Sequence, residues 1–263
     1  MVFTDLDQAR DDARYRIRTY SQALGDGDEA ISKTLFAITW EHRQLAICKL
    51  LQNADLTGYH VGLRRSALTW GHLLKLIDAG MQVSPRLRMG SSWSCLTSVV
   101  AANDFVLGRS LAVRFPKDCD HDREYDEDYF PMAMLSHALT NDANATGMGA
   151  LCDQWEQAVD GKISPDLAAW RAMSKADSKE FNSAFRDLID YRKDQMTAYR
   201  KSFSSVRTIA ATEGGLFISG LAMLQVARRL GLELPPQRPM CPLIALVPTP
   251  TTALPSDAWR LLD

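Results

Sequence analysis

The chain has 263 residues, of which 46% are hydrophobic, and 30 basic residues against 32 acidic residues give a net charge of −2. The apolar fraction is that of an ordinary globular protein, which excludes a disordered or fibrous chain. The near-neutral charge argues against a protein whose whole surface binds nucleic acid, because such proteins carry a strong basic excess.

The first half of the chain is predicted to be helical. Across residues 28–51, apolar positions recur at intervals of three, four and seven, and two acids open the segment, which suits the positive end of a helix dipole. The same spacing continues across residues 61–77, and Gly80 follows where a C-terminal cap is expected. These patterns predict two amphipathic helices.

A turn pattern recurs through the middle of the chain, in which small residues precede an aspartate and a new amphipathic segment follows. The aspartates are Asp104, Asp142 and Asp177, spaced 38 and 35 residues apart. An aspartate at such a position can accept a hydrogen bond from the first turn of the next helix. A period of about 34 to 45 residues is typical of stacked helical hairpins of the TPR or HEAT type. The alternative is an irregular bundle with similar turns. Both predict an all-α protein, and we expect stacked antiparallel helical hairpins.

The C-terminal part differs in composition. Residues 213–230 are expected to form the last strong helix, whereas seven of the eleven prolines lie in the final 29 residues, where a helix cannot persist. Residues 243–247 are expected to form one short strand, and Trp259 is expected to dock the tail. The sequence therefore predicts a helical domain at 1–231 and an irregular proline-rich tail at 232–263 that is docked on the same domain.

Several features favour a cytoplasmic location. The N-terminus shows no secretory signal, and the longest nearly uncharged apolar stretch, residues 214–227, is too short to span a bilayer. No CxxC pair occurs among the cysteines, so reduced and mostly buried thiols are expected. The scattered cysteines are Cys48, Cys95, Cys119, Cys152 and Cys241. We therefore expect no membrane partner.

The strongest charge feature is residues 117–128, with the sequence KDCDHDREYDED, here called the acidic segment. Its acids outnumber Lys117 and Arg123 and give a local charge of −5, so the rest of the chain sums to about +3. The seven acids are Asp118, Asp120, Asp122, Glu124, Asp126, Glu127 and Asp128. Pro116 and Pro131 flank the segment, which predicts an exposed connection between helices.

Three interpretations of the acidic segment remain open. It is a solvated loop, or it is a surface that enters a basic groove of another protein, with Tyr125, Tyr129 and Phe130 as aromatic contacts. The third is a metal site built from Asp120, His121 and Asp122. That site is disfavoured because consecutive side chains point apart, and no metal or other cofactor is expected.

Catalytic motifs are weak. Residues 90–94 resemble a nucleophile elbow but lack its second glycine and a preceding strand. Residues 25–30 fit a G-x-G-x-x-A pattern, but a predicted helix precedes them, so the dinucleotide interpretation fails. No catalytic residue is proposed, and the chain is not expected to be an enzyme.

Three other sets of residues are expected to have structural rather than functional roles. The pair Glu41 and His42 is expected at the surface or half-buried within a helix. The mildly basic tract at 171–207 is expected to form a solvated helix face. The tryptophans mostly occupy apolar helical positions, which predicts a role in the core. They are Trp40, Trp70, Trp93, Trp155, Trp170 and Trp259.

A family resemblance adds a specific function. Several short segments follow in order: 99–104, 108–112, the helix containing Tyr129 with its turn at 141–143, 176–181 with Phe185, 221–231, and a tail with 254–255 and 259–262. In this order, across about residues 35–263, they resemble the immunity protein 49 family of bacterial toxin–immunity systems.

The resemblance implies a cytoplasmic antidote that binds and blocks a cognate toxin without catalytic residues of its own. We expect the toxin to carry a basic active-site groove, as a nuclease does. The candidate partner-binding residues are Asp118, Asp120, Asp122, Glu124, Tyr125, Asp126, Glu127, Asp128 and Tyr129. Two alternatives are a helical-repeat scaffold for several cellular partners and a metal-dependent hydrolase that reverses a toxin's modification.

Overall fold

The protein is all-α, as predicted, in a computed structural model that describes residues 2–22, 24–25, 27–141, 145–202, 207–250 and 253–262. Within these ranges, eleven α-helices are joined by turns and short 3₁₀ segments. They are α1 (Val2–Gln22), α2 (Asp28–Asn53), α3 (Leu56–Asp78), α4 (Cys95–Ala101), α5 (Phe105–Ala112), α6 (Asp126–Thr140), α7 (Ala145–Ala158), α8 (Pro165–Ser174), α9 (Ser178–Ser202), α10 (Arg207–Thr212) and α11 (Ile218–Arg229).

The two helices predicted in the first half are confirmed as α2 and α3. The second starts earlier than the apolar spacing indicates, because the Asp55 side chain accepts a hydrogen bond of 2.8 Å from the Gly58 N–H and caps the helix there. Gly80 follows the end of α3 with a φ of +102°, a conformation that favours glycine.

Helices α2 and α3 form a closely packed hairpin. Only Ala54 and Asp55 separate them, and Ala54 adopts a left-handed conformation with a φ of 51°. Gly62 allows their close approach, because a Cβ atom there would lie 2.8 Å from the Cβ atom of Ala46. Helices that are adjacent in sequence also pack together farther along the chain, as α7, α8 and α9 do. Other contacts join helices distant in sequence, such as α11 with α4 and α1 with α10.

The recurring aspartates cap helices as expected where the structure describes them. Asp104 accepts a 3.0 Å hydrogen bond from the Leu107 N–H at the start of α5. Asp177 accepts 2.9 Å bonds from the N–H groups of Lys179 and Glu180 at the start of α9. Asp142 lies outside the described residues. Regular stacking of hairpins stays a prediction.

Two expectations for the C-terminal part are wrong. The last strong helix, expected from residue 213, begins at Ile218, because residues 213–217 form a turn and Phe217 donates a 2.8 Å backbone bond to Met240. Residues 243–247 do not form a strand. A 3₁₀ turn occupies Leu243–Leu246 instead, since no strand among the described residues is available as a partner.

The C-terminal segment packs on the helices through Trp259, which is 1% exposed. His42 Nε2 donates a 2.6 Å hydrogen bond to the Trp259 carbonyl oxygen, and the His72 ring stacks on the indole with centroids 4.9 Å apart. His42 is fully buried, so the expectation that it lies at the surface or half-buried is wrong, whereas Glu41 is half-buried as expected. Burial lowers the pKa of His42 to about 4. The division into a domain and a tail stays a prediction.

Most cysteine and tryptophan side chains are buried, as expected. All five cysteines are free, and only Cys119 is not fully buried. Five of the tryptophans are buried, whereas Trp40 is half-buried and lines the cavity described below. Among the described residues, none of the helices combines the length and the apolarity needed to cross a bilayer.

Candidate functional site: an acidic surface beside a cavity

The acidic segment begins in turns after α5 and ends inside a helix. Asp126, Glu127 and Asp128 form the first turn of α6, where carboxylates interact favourably with the helix dipole. Pro131 lies within that helix. The expectation that the acidic segment is an exposed connection between helices is therefore wrong for its last three residues, which belong to α6, whereas residues 117–125 lie between α5 and α6.

Glu124 fixes the centre of the acidic segment to the helical body. Its carboxylate is 8% exposed and accepts a 2.7 Å hydrogen bond from the Ser91 N–H and a 3.3 Å bond from the Gly90 N–H. It also accepts a 3.2 Å bond from the Asp120 N–H within the segment. Hydrogen bonds to an ionised acceptor are about twice as strong as neutral ones, so this contact holds the segment in one conformation.

Tyr129 provides a second attachment. It is 5% exposed, and its hydroxyl donates a 2.8 Å hydrogen bond to the Lys117 carbonyl oxygen at the other end of the segment. Phe130 is also buried and stacks on Trp155 with ring centroids 5.7 Å apart. Of the aromatic residues considered as partner contacts, only Tyr125 is solvent-exposed, at 77%.

The structure thus separates the candidate residues into two groups. Glu124 and Tyr129 are buried and hold the segment, while Asp120 pairs with Arg123 at 2.7 Å and Asp126 lies beside His121. The remaining candidates are exposed and define what we call the acidic face. They are Asp118, Asp122, Tyr125, Glu127 and Asp128.

A cavity of about 440 Å³ adjoins the acidic face, and sequence reasoning missed it. It lies where α2, α4, α6, α8, α9 and α11 approach one another, so its residues are distant in sequence. Glu127 and Asp128 belong to both the acidic face and the cavity wall. The other lining residues that carry its chemistry are Trp40, Arg43, Asp166, Tyr191, Arg192, Gln195 and Phe217.

Arg43 contributes a neutralised cation to the cavity wall. Its guanidinium makes two bonds to the Glu213 carboxylate, of 2.6 Å and 3.0 Å, and a third of 2.7 Å to the Thr97 hydroxyl oxygen. Both charged side chains are at most 7% exposed. A buried pair with this geometry is structural, because the carboxylate already satisfies the guanidinium.

Arg192 and Asp166 are the second pair of opposite charges at the cavity. The Arg192 guanidinium lies over the Phe217 ring, 5.4 Å from its centroid, and burial lowers the pKa of Arg192. Burial raises the pKa of Asp166 to about 6, against the opposing effect of Arg192. Arg192 is half-buried, so its expected place on a solvated helix face is wrong.

Carboxylates outnumber guanidinium groups at this cavity. Glu127, Asp128 and Asp166 face Arg192 and the neutralised Arg43, so the lining has a net negative charge at neutral pH. Burial and the neighbouring acids Glu127 and Glu124 also raise the pKa of Asp128. A cationic group entering the cavity would relieve this repulsion, whereas an anion would increase it.

The predicted metal ligands Asp120, His121 and Asp122 are not brought together as one set. Asp120 is engaged by Arg123, and among the described residues the ligand cluster that forms around His121 contains Cys119 and Asp126 instead. Burial and nearby carboxylates raise the pKa of Cys119 to about 12, which disfavours a thiolate nucleophile at this position.

Comparison of the chain with protein-family models, with curated proteins and with solved structures finds no match. The resemblance to the immunity protein 49 family therefore stays a hypothesis, and function has to be argued from the acidic face and the cavity.

Proposed function

We propose that this chain is an immunity protein that binds a cognate bacterial toxin in the cytoplasm and neutralises it by direct occlusion. The proposal rests on the ordered resemblance to the immunity protein 49 family and on the acidic face. The acidic face supplies Asp118, Asp122, Glu127 and Asp128 as exposed carboxylates around an exposed tyrosine.

The observation that carries the proposal is the attachment of the acidic segment by Glu124. The carboxylate reaches the N–H groups of Gly90 and Ser91, more than 30 residues away in sequence. A charged surface that is already ordered loses less conformational entropy on binding than a flexible loop does. Concentrated charge also steers an oppositely charged partner during diffusional encounter.

The cavity supplies a place for a basic side chain of the toxin. Glu127, Asp128 and Asp166 line the cavity together with Trp40 and Tyr191. Carboxylates attract a lysine or arginine, and the aromatic faces favour a cation by their ring quadrupoles. A toxin with a basic substrate groove, such as a nuclease, presents side chains of this kind.

The proposal predicts a toxin gene beside the gene for this chain, and the test uses the protein that this neighbouring gene encodes. We expect the full-length chain to protect cells that express the toxin and to form a tight complex with it in calorimetry. A variant that removes four charges from the acidic face should weaken the affinity by about ten- to a hundredfold. The changes are Asp118→Asn, Asp122→Asn, Glu127→Gln and Asp128→Asn.

A matched control removes the same charge elsewhere. It changes exposed acids on α1, α2 and α9, whose surface ion pairs contribute little to stability. The control changes are Asp7→Asn, Asp11→Asn, Glu29→Gln and Glu180→Gln. Equal affinities of the two variants for the toxin would refute the acidic face as the binding surface, and the absence of protection by the unaltered chain would refute the immunity function.

A further inference from the structure

Three metal-ligand side chains meet at the base of the acidic segment. Donor atoms of Cys119, His121 and Asp126 all lie within 4.8 Å of one another. Within the cluster, His121 Nδ1 and Asp126 Oδ1 lie 3.2 Å apart. In a tetrahedral site, bonds of about 2.0–2.3 Å place neighbouring donor atoms about 3.3–3.7 Å apart. A small contraction of this cluster therefore produces a coordination sphere.

The Asp126 carboxylate shows that the cluster is not simply a satisfied hydrogen-bond network. Its Oδ1 atom is buried and accepts no hydrogen bond of ordinary geometry from the described residues, although the Cys119 thiol interacts with this carboxylate and His121 Nδ1 lies 3.2 Å from the oxygen. Buried carboxylate oxygens normally have a hydrogen-bond partner or a metal. A cation bound between the three side chains would satisfy this oxygen.

Two elements of the structure position the three ligands, a turn and the first residue of α6. Cys119 and His121 belong to the turn that Glu124 holds through the Asp120 N–H, and Asp126 is the first residue of α6. His121 is 68% exposed, so its ring is free to rotate by the small amount that coordination requires. The neighbouring acids Asp120 and Glu124 lower the cost of bringing a dication to this position.

The types of donor atom in the cluster indicate which metal ion fits it. A Zn²⁺ ion displaces the proton of the thiol that it binds, so the raised pKa of the metal-free Cys119 thiol does not prevent coordination. The resulting thiolate, an imidazole and a carboxylate together suit Zn²⁺, which accepts sulfur, nitrogen and oxygen ligands, whereas Mg²⁺ and Ca²⁺ require oxygen ligands. We propose that Cys119, His121 and Asp126 bind a single Zn²⁺ ion, with a fourth position open to water. This site does not depend on the proposed immunity function, because it is built within one chain.

The experiment uses the full chain, reduced and without an affinity tag, titrated with Zn²⁺ against a chromophoric chelator. Co²⁺ serves as a spectroscopic probe, because a thiolate ligand gives a charge-transfer band in the near ultraviolet. We expect one ion per chain and this band. Cys119→Ser should abolish the band, and both Cys119→Ser and His121→Ala should weaken Zn²⁺ binding by more than about tenfold.

Asp122→Asn is the matched control, because it removes an exposed acid from the same turn without removing a ligand. It should change the affinity for Zn²⁺ by less than about twofold, as expected for a screened surface charge. Far-ultraviolet circular dichroism shows whether each variant keeps its helices. Because the His121 side chain is exposed, we expect His121→Ala to fold as the unaltered chain does. Equal Zn²⁺ affinities of the unaltered chain and His121→Ala, or a Co²⁺ complex without the charge-transfer band, would overturn the proposal.

Discussion

The Glu124 carboxylate accepts a 2.7 Å hydrogen bond from the Ser91 N–H and thereby attaches the most acidic part of the chain to the turn before α4. Seen in sequence, Glu124 is one of seven acids in a charged run. In the fold it is the buried one, and the exposed acids around it depend on its position.

Replacing Glu124 by Gln tests this attachment. The amide keeps the shape but loses the charge, and its NH₂ group cannot accept a bond from a backbone N–H, so we expect the free energy of unfolding to fall by about 1–3 kcal/mol. Amide hydrogen exchange at Gly90 and Ser91 should accelerate. Glu127→Gln, at an exposed position nearby, is the control, and equal stability of the two variants would contradict the attachment.

The buried pair of Arg43 and Glu213 gives a second prediction. Truncating either residue to Ala leaves the other charge buried without its partner, so each single change should destabilise the fold by about 3–5 kcal/mol. The double change Arg43→Ala with Glu213→Ala should cost less than the two single changes added together, as measured by urea denaturation in a double-mutant cycle. The exposed pair of Glu29 and Lys33 is the control, and its removal should leave stability nearly unchanged because solvent screens the two charges. Additive losses at the buried pair would contradict the coupling.

Asp166 makes stability depend on pH in a defined direction. Its pKa is about 6 in the folded protein and 3.8 ordinarily, so the folded state binds the proton more tightly. Its contribution to stability is therefore complete below about pH 4 and is lost as the pH rises through about 6, by about 2–3 kcal/mol.

The variant Asp166→Asn isolates that effect, because the amide does not titrate. Its stability relative to the unaltered chain should increase as the pH rises from about 4 to about 7. Urea denaturation at several pH values measures the difference. Asp187→Asn on the exposed side of α9 should give a flat difference, and the same flat result for Asp166→Asn would show that the carboxyl group is not desolvated.

Trp259 supplies a test of how the C-terminal segment is held. Trp259→Ala removes the stacking on His72 and a fully buried indole, so we expect a loss of about 3–5 kcal/mol and faster proteolysis of the segment. Leu261→Ala, at a position 46% exposed, should change stability by less than about 0.5 kcal/mol. Equal cleavage rates for the two variants would mean that Trp259 does not hold the segment.

The sequence predicts the helices better than it predicts the site, for a physical reason. Apolar spacing is local, so α2 and α3 are visible in the residues that form them. The Arg43–Glu213 pair joins positions 170 residues apart, and no local pattern records it. Arg192 has the spacing of a solvated face, yet it lies over the ring of Phe217, the residue that precedes α11, and both side chains line the cavity.

The acidic segment shows the same limit of prediction from local sequence patterns. Composition identifies its charge correctly, but composition does not distinguish Glu124, which binds backbone N–H groups, from Asp122, which is exposed. Tyr125 and Tyr129 are similarly alike in sequence and opposite in burial. The signal that distinguishes Tyr129 is its helical spacing from Ala133, which places both on the buried side of α6.

The association rate of the toxin with this chain, measured by stopped flow across a range of salt concentrations, tests the central claim most directly. Electrostatic steering by the acidic face predicts a rate that falls steeply as salt increases, and a much shallower dependence for the variant without Asp118, Asp122, Glu127 and Asp128 charges. The same salt dependence for the unaltered chain and for that variant would contradict toxin binding through the acidic face.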